Sequence, residues 1–371
     1  MVGLQTRHQT SRLGLLPIIF AFSAAAFSGI NSLPFPPAVA LAQGLVMGQF
    51  LVVWFVHTVC LLAHESEVPP GPPFSLRAWI SAYRMIFNSR NAPIHVEPIK
   101  KAGQGHTGSG IAPSSMPKPE PSTLLSKRAS FAFRQTSRIM LCIGIYHFCN
   151  SFLPLVIYKS MELLGPPTAT LAEQAVFLRR LSQVSAFEVA LRAISVVEFV
   201  ATSWALANFT HSILSLVAVC VLCLDSPEEW PPIYGDIRAT YTIRSFWSRF
   251  WHRLVSATWV SLATPIVRHI FQVKSRGPTS RLLSTVLVFL FSGATHGLVA
   301  WQQGFVCGWW HETAFFTLNS VAILVEDVVK NVKTTAVPAW MKVAVGYCWT
   351  WGFMFWAVPK TQYPKIECSS S

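Results

Sequence analysis

Charge is what this chain has least of. Of its 371 residues only 12% are Asp, Glu, Lys or Arg, while 52% are hydrophobic. A soluble domain carries about 25% charged residues, so a surface bathed in water on all sides is excluded. Lipid-facing surface accounts for the deficit, because an ionised side chain in hydrocarbon is costly. Acids are scarcer still: 16 Asp and Glu stand against 29 Lys and Arg, a formal charge of +13. That excess does not indicate nucleic acid as a partner. The basic residues fall mainly between apolar runs, where the positive-inside bias of a polytopic membrane protein places them.

Other absences narrow the chemistry. No Ser-His-Asp or H-x-x-x-H constellation stands out, so neither a serine hydrolase nor a metal site is expected. Cys220-Val221-Leu222-Cys223 has C-x-x-C spacing, but no second pair accompanies it and its surroundings are apolar. It reads as two small buried residues rather than a redox or metal pair. Seven of the eight cysteines lie in apolar segments, which implies no disulfide framework. Gly103, Gly105, Gly108 and Gly110 have no strand before them and form no nucleotide fingerprint.

What is present is a series of long apolar runs, and they predict an all-α, polytopic integral membrane protein with seven to nine transmembrane helices. Residues 1–63 form an N-terminal hairpin of two such runs, turned at Pro34, Pro36 and Pro37. Residues 64–138 read as a cytosolic loop, partly disordered, with ten Lys or Arg against four Glu from Glu65 to Arg138. Residues 139–371 form the transmembrane catalytic region, with its core at 230–301.

That core holds two histidines 44 positions apart, His252 and His296. His296 lies in Ser292-Gly293-Ala294-Thr295-His296-Gly297, inside the apolar run from Leu282 to Trp301. Apart from Cys307 it is the only titratable side chain from Leu282 to Trp310. A packing histidine is the plain alternative, but ionisable groups within a membrane segment more often line a pathway or do chemistry. A neutral imidazole there can take a proton from an alcohol. Gly293 and Gly297 leave room beside it for a neighbouring helix or a substrate. His311-Glu312 is a further pair at the next apolar segment, for which a catalytic role is the weaker reading.

His252 closes the segment Ser245-Phe246-Trp247-Ser248-Arg249-Phe250-Trp251-His252. On a helix, Ser245, Ser248, Arg249, His252 and Ser256 share one face. An interfacial helix with snorkelling arginines is the plain reading. The functional one is a basic face for a phosphorylated ligand, since Arg pairs bidentately with phosphate.

The order Trp230-Pro231-Pro232-Ile233-Tyr234-Gly235, then Phe246 to His252, then Ser292 to Gly297, resembles the wax synthase domain of the membrane-bound O-acyltransferases. Within it the chain is most similar to the fungal members that acetylate terpenoid and meroterpenoid intermediates. The resemblance implies His296 as the catalytic histidine and His252 as the second polar position, which many other members fill with Asn. It also implies acetyl-CoA as co-substrate, with no permanently bound cofactor, and a lipophilic alcohol as acceptor, drawn from the lipid bilayer or the lumen. Arg244, Arg249, Arg253 and Trp251 are the expected donor-binding residues, and the expected address is the endoplasmic reticulum. Two other readings remain at this point: a long-chain wax ester or sterol ester synthase, and a membrane transporter, although no inverted repeat is visible.

Overall fold

The computed structural model describes residues 13–32, 37–63, 75–87, 121–165, 169–252, 254–273, 277–330 and 338–370. All regular structure among them is helical: α1 (Leu16–Ser28), α2 (Pro37–Ala63), α3 (Leu76–Phe87), α4 (Pro121–His147), α5 (Leu153–Leu164), α6 (Leu171–Ala175), α7 (Ala186–Leu216), α8 (Ile243–Ser245), α9 (Ser256–Pro265), α10 (Pro278–Gln302), α11 (Trp310–Lys330), α12 (Ala339–Ala357) and α13 (Pro359–Ser370).

Four helices among the described residues are long and apolar enough to cross a membrane: Gly44–Ala63, Leu125–Leu164, Ala186–Val221 and Pro278–Gln302. This supports a polytopic helical membrane protein and corrects the expected seven to nine spans. The difference has local causes. At 13 residues α1 is apolar but short, since a helix rises about 1.5 Å per residue against a hydrocarbon core of about 30 Å. Helix α11 carries Glu312, Glu326, Asp327 and Lys330. Leu125–Leu164 runs unbroken for 40 residues, uniting a segment assigned above to the loop with the span after it. A π-helical turn at Phe148–Phe152 absorbs the N–H missing from Pro154. The disorder expected in the middle of 64–138 lies outside the described residues.

Helices α10 and α11 form a closely packed hairpin, α4 lies along α7, and α9 and α2 cover α10. The core joins Val196 of α7, Phe289 of α10, Phe315, Phe316 and Ile323 of α11, Met354 of α12 and the aromatic residues Phe246, Phe250 and Trp251. Two polar clamps close the bundle. In one, Arg84 of α3 donates to the Leu224 carbonyl at 2.9 Å and pairs with Asp225 at 3.7 Å and Glu229 at 3.5 Å. In the other, α13 is tied to α6: Lys360 donates to the Ala175 carbonyl at 2.8 Å, and the Ala172 N–H donates to Glu367 at 2.8 Å. Beside this clamp the fully buried Arg192 pairs with Glu188 at 3.5 Å and lies over the Phe177 ring at 4.3 Å. Cys307, in the turn between α10 and α11, is disulfide-bonded, contrary to the expectation from the apolar surroundings of the cysteines.

Candidate active site

The motif beginning at Trp230 is fastened from its first residue. The Trp230 indole donates to Asp225 at 3.0 Å, and the Tyr234 hydroxyl donates to the Ser203 carbonyl on α7 at 3.1 Å. Burial pushes the Asp225 carboxyl up from its ordinary value, partly offset by the hydrogen bond from Trp230 and the charge of Arg84. The Gly235 N–H then donates to the Phe250 carbonyl at 2.9 Å. A Cβ on Gly235 would collide with the Arg249 carbonyl oxygen, so this fold-back admits only glycine.

Thr242 caps the next turn, its hydroxyl accepting the Ser245 N–H at 2.9 Å. The three-residue α8 continues as a π-helical turn, Phe246–Phe250, closed by the Trp251 N–H on the Phe246 carbonyl at 2.8 Å. Trp251 is already extended, with φ −61° and ψ 155°. The helix therefore ends before His252, and the polar face predicted from Ser245 through Ser256 does not form. The bulky rings decide this: Trp251 stacks on Phe246 at 5.2 Å and on Phe199 of α7 at 5.4 Å, which a continuing α-helix would carry elsewhere.

One stripe of α11 receives this segment. Glu312, Phe316, Asn319, Ile323 and Glu326 follow one another at steps of four and three, and all five are buried. Glu326 accepts the N–H of Ile243 at 2.5 Å and of Arg244 at 3.1 Å, and the Trp349 indole of α12 at 3.0 Å. Asn319 accepts the Trp247 indole N–H at 2.8 Å and donates to the Phe315 carbonyl at 2.9 Å. Phe316 meets the Trp247 ring at 5.5 Å and the His296 ring at 4.6 Å, the latter nearly parallel.

His296 is held at this stripe by the glycines around it. A Cβ on Gly293 would lie 2.9 Å from Thr313 Cα, and one on Gly297 would lie 2.9 Å from the Trp309 carbonyl oxygen. The Thr313 hydroxyl donates to the Gly293 carbonyl at 3.1 Å. The space left by both glycines is thus filled by α11 and by Trp309 in the turn before it, as small residues in a membrane allow. Glu312 lies one turn from Phe316 on the stripe, and Lys365 of α13 reaches its carboxylate. Those two form an ion pair, and the Thr361 hydroxyl donates to Glu312 at 3.0 Å.

The remaining residues singled out in the sequence fall in different settings. His252 lies against Tyr234 at 5.8 Å and Trp251 at 5.7 Å. Ring contacts lead from it to His296 through Trp251, Trp247 and Phe316, with no ring contact between the two imidazoles themselves. Trp251 is buried in the core. Arg244 is ion-paired with Asp327, whereas Arg249 is exposed and makes no ion pair among the described residues. Arg253 lies outside the described residues. Among those residues no group of three His, Cys, Asp or Glu is placed to hold a metal ion. A cavity of about 820 Å³ opens between α7, α12 and the start of the motif, lined by Val196, Val200, Trp204, Gly235, Phe250 and Phe355. Sequence reasoning passes over Asn319, Glu326, Lys365 and Thr361. A signal exists for part of this set, because Glu312, Asn319 and Glu326 recur every seven residues in one helix.

Residues 230–318 match the family model described as the membrane bound O-acyl transferase family. The chain is 26% identical over 315 residues to acetyltransferase nanB of Aspergillus nanangensis, covering 81% of this chain and 67% of that protein. It is 29% identical over 161 residues to acetyltransferase ataH of Aspergillus terreus, covering 42% and 53%. Against acetyltransferase TRI7 of Fusarium sporotrichioides it is 31% identical over 165 residues, covering 40% and 36%. The chain thus spans from about a third to two thirds of the length of these relatives. No solved structure matches it. The matched segment begins at Trp230 and takes in Gly235, the α8 turn, His296 and the α11 stripe as far as Phe316. From 230 to 318 the chain is similar to the membrane bound O-acyl transferase family, and over 315 residues it is similar to a fungal acetyltransferase.

Proposed function

We propose that the protein is an acetyl-CoA-dependent O-acetyltransferase of the endoplasmic reticulum membrane that esterifies a hydroxyl of a lipophilic terpenoid or meroterpenoid in fungal secondary metabolism. The observation that carries this reading is His296: an imidazole inside an apolar helix, within the family segment, seated on Phe316 at 4.6 Å.

In this reading His296 takes the proton of the acceptor hydroxyl. The alcohol oxygen attacks the thioester carbonyl carbon, giving a tetrahedral oxyanion. The C–S bond then breaks, the acetyl group stays on the acceptor oxygen, and the imidazolium returns its proton to the CoA sulfur. No acyl-enzyme forms. His252 is the second polar group and steadies the oxyanion. Arg249, with its guanidinium exposed, contacts the phosphates of the donor, with Arg244 and Arg253 as neighbours of that contact. Trp251 holds the segment that presents them. The apolar cavity beside Phe250, about 820 Å³, has the size and lining of a site for a lipophilic acceptor.

The test is acyl transfer by the purified full chain with acetyl-CoA and long-chain acyl-CoAs over a panel of terpenoid, sterol and fatty alcohols, alongside His296→Ala. Acetyl transfer to a terpenoid alcohol that is lost in the variant is expected. Faster turnover with long acyl chains would replace this reading by a wax or sterol ester synthase. Transport that survives His296→Ala, with no acyl transfer in wild type, would replace it by a transporter. Metabolites accumulating after deletion of the gene would name the acceptor.

A further inference from the structure

Helix α11 carries a buried carboxylate, Glu312, one turn from the ring on which the candidate base stacks, and a separate helix holds that carboxylate. The α10 face bearing Gly293, His296 and Gly297 lies on Thr313 and Phe316 of α11 and on Trp309 in the turn just before it, as the two glycine approaches and the Thr313 hydrogen bond establish. His296 is thereby bracketed along α11, with its ring on Phe316. Glu312 is one turn from Phe316 on the same stripe, so its carboxylate is on the His296 side of α11. It is 7% exposed. Its orientation is fixed from α13, where Lys365 pairs with it and Thr361 donates to Oε1 at 3.0 Å.

A buried carboxylate fully answered by a lysine and a hydroxyl would be explained as a structural tie between α11 and α13. Two observations point further. Tying α13 down does not require this pair, because Lys360 and Glu367 already fasten that helix to α6. And Glu312 lies one turn from the Phe316 ring on which the His296 imidazole stacks. A base that becomes positively charged during the reaction is helped by a fixed negative group nearby, in place before the proton moves.

We propose that Glu312 is a positioning residue for His296: held by Lys365 and Thr361, it orients the imidazole and stabilises the imidazolium formed when the acceptor hydroxyl gives up its proton. This makes α13 a part of the reaction centre. The inference rests on the reading of His296 as the base. The chemistry balances without a further reactant, since the proton passes from the acceptor to His296 and on to the CoA sulfur, and Glu312 stays ionised throughout.

The test uses the full chain purified in lipid-containing detergent, with radiolabelled acetyl-CoA and a sesquiterpene alcohol that the wild type acetylates. Values of kcat and KM and the thermal unfolding midpoint are measured for Glu312→Gln, Glu312→Asp, His296→Ala and the Glu312→Gln/His296→Ala double variant. Glu312→Gln is expected to lower kcat about 10- to 100-fold with KM for both substrates unchanged. Glu312→Asp should recover much of that loss, and the double variant should be no slower than His296→Ala alone. Wild-type kcat in Glu312→Gln, with His296→Ala inactive, overturns the role of Glu312 and leaves the base intact. So does a loss that merely follows the unfolding midpoint and that Asp does not relieve. Full activity in His296→Ala overturns the base itself. Should Glu312→Gln fail to fold, Thr361→Val, which removes the hydroxyl that holds Glu312, decides: a fall in kcat with KM unchanged upholds the proposal, and wild-type kcat overturns it.

Discussion

Glu326 receives the backbone N–H of Ile243 on one carboxylate oxygen at 2.5 Å and that of Arg244 on the other at 3.1 Å. A carboxylate so placed satisfies the open donors at the start of a helical turn and meets their partial positive charge. The turn needs this, because three α-helical residues and a π-helical turn are too short to hold themselves. Glu326→Ala leaves two N–H groups and the Trp349 indole without their acceptor. It should lower stability by roughly 2–4 kcal/mol, read as a lower unfolding midpoint, and acyl transfer should fall with it. Glu326→Gln keeps an acceptor and should cost less.

The glycines flanking His296 give a second prediction. Alanine at Gly293 puts a methyl group 2.9 Å from the Thr313 Cα of α11, and alanine at Gly297 puts one 2.9 Å from the Trp309 carbonyl oxygen just before α11. Helix backbones cannot give way as a side-chain tip can, so each substitution should cost about 1–3 kcal/mol and move His296 off Phe316. Gly352 of α12 has open space where its Cβ would lie, and Gly352→Ala is the matched control, expected to be silent in both unfolding and activity.

Arg244 and Arg249 should separate in kinetics. With its charge unpaired among the described residues, Arg249 is the donor contact in our reading, and Arg249→Ala should raise KM for acetyl-CoA about tenfold, the scale of one charge-assisted hydrogen bond. Arg244, committed to Asp327, should show a smaller rise in KM and a lower unfolding midpoint. Equal rises in KM for the two would return Arg244 to the donor side.

Asp225 adds a pH dependence with a defined sign. Burial raises its folded value above that of an ordinary Asp, so the folded protein holds this proton more tightly than the unfolded chain does. Stability from this group is present below the ordinary carboxylate value and is lost as pH rises through the raised one. Unfolding midpoints of wild type and Asp225→Asn, compared from acidic to neutral pH, should show wild type gaining relative to the variant as pH falls. A gap that is flat or of opposite slope would refute this.

His296 is visible without coordinates because a lone titratable residue in an apolar run is conspicuous by contrast, and the helical class follows from the length of such runs. Other features escape for physical reasons. The span count fails at a helix that carries Glu312, Glu326 and Asp327 among apolar residues, as α11 does: acids depress hydropathy even where, as with Glu312 and Glu326, they are buried in the bundle. The predicted polar face through His252 fails because helical periodicity assumes that the helix continues, and tertiary stacking of Trp251 on Phe199 ends it. Lys365 and Thr361 lie 53 and 49 residues from Glu312, and no local pattern announces a partner at that separation. The seven-residue recurrence of Glu312, Asn319 and Glu326 is open to reading, but polar residues in an otherwise apolar helix look like interruptions until it is known what they face.

That α11 stripe has a mechanical corollary. The anchor of the α8 turn at Glu326, the Trp247 contact at Asn319, the seat of His296 at Phe316 and the carboxylate at Glu312 are all keyed to one rigid rod. Rolling that rod about its axis enough to free the basic segment would swing Glu312 and Phe316 away from the imidazole in the same motion. The two halves of the site are therefore geared together, and disturbances introduced at either end of α11 should be felt at the other.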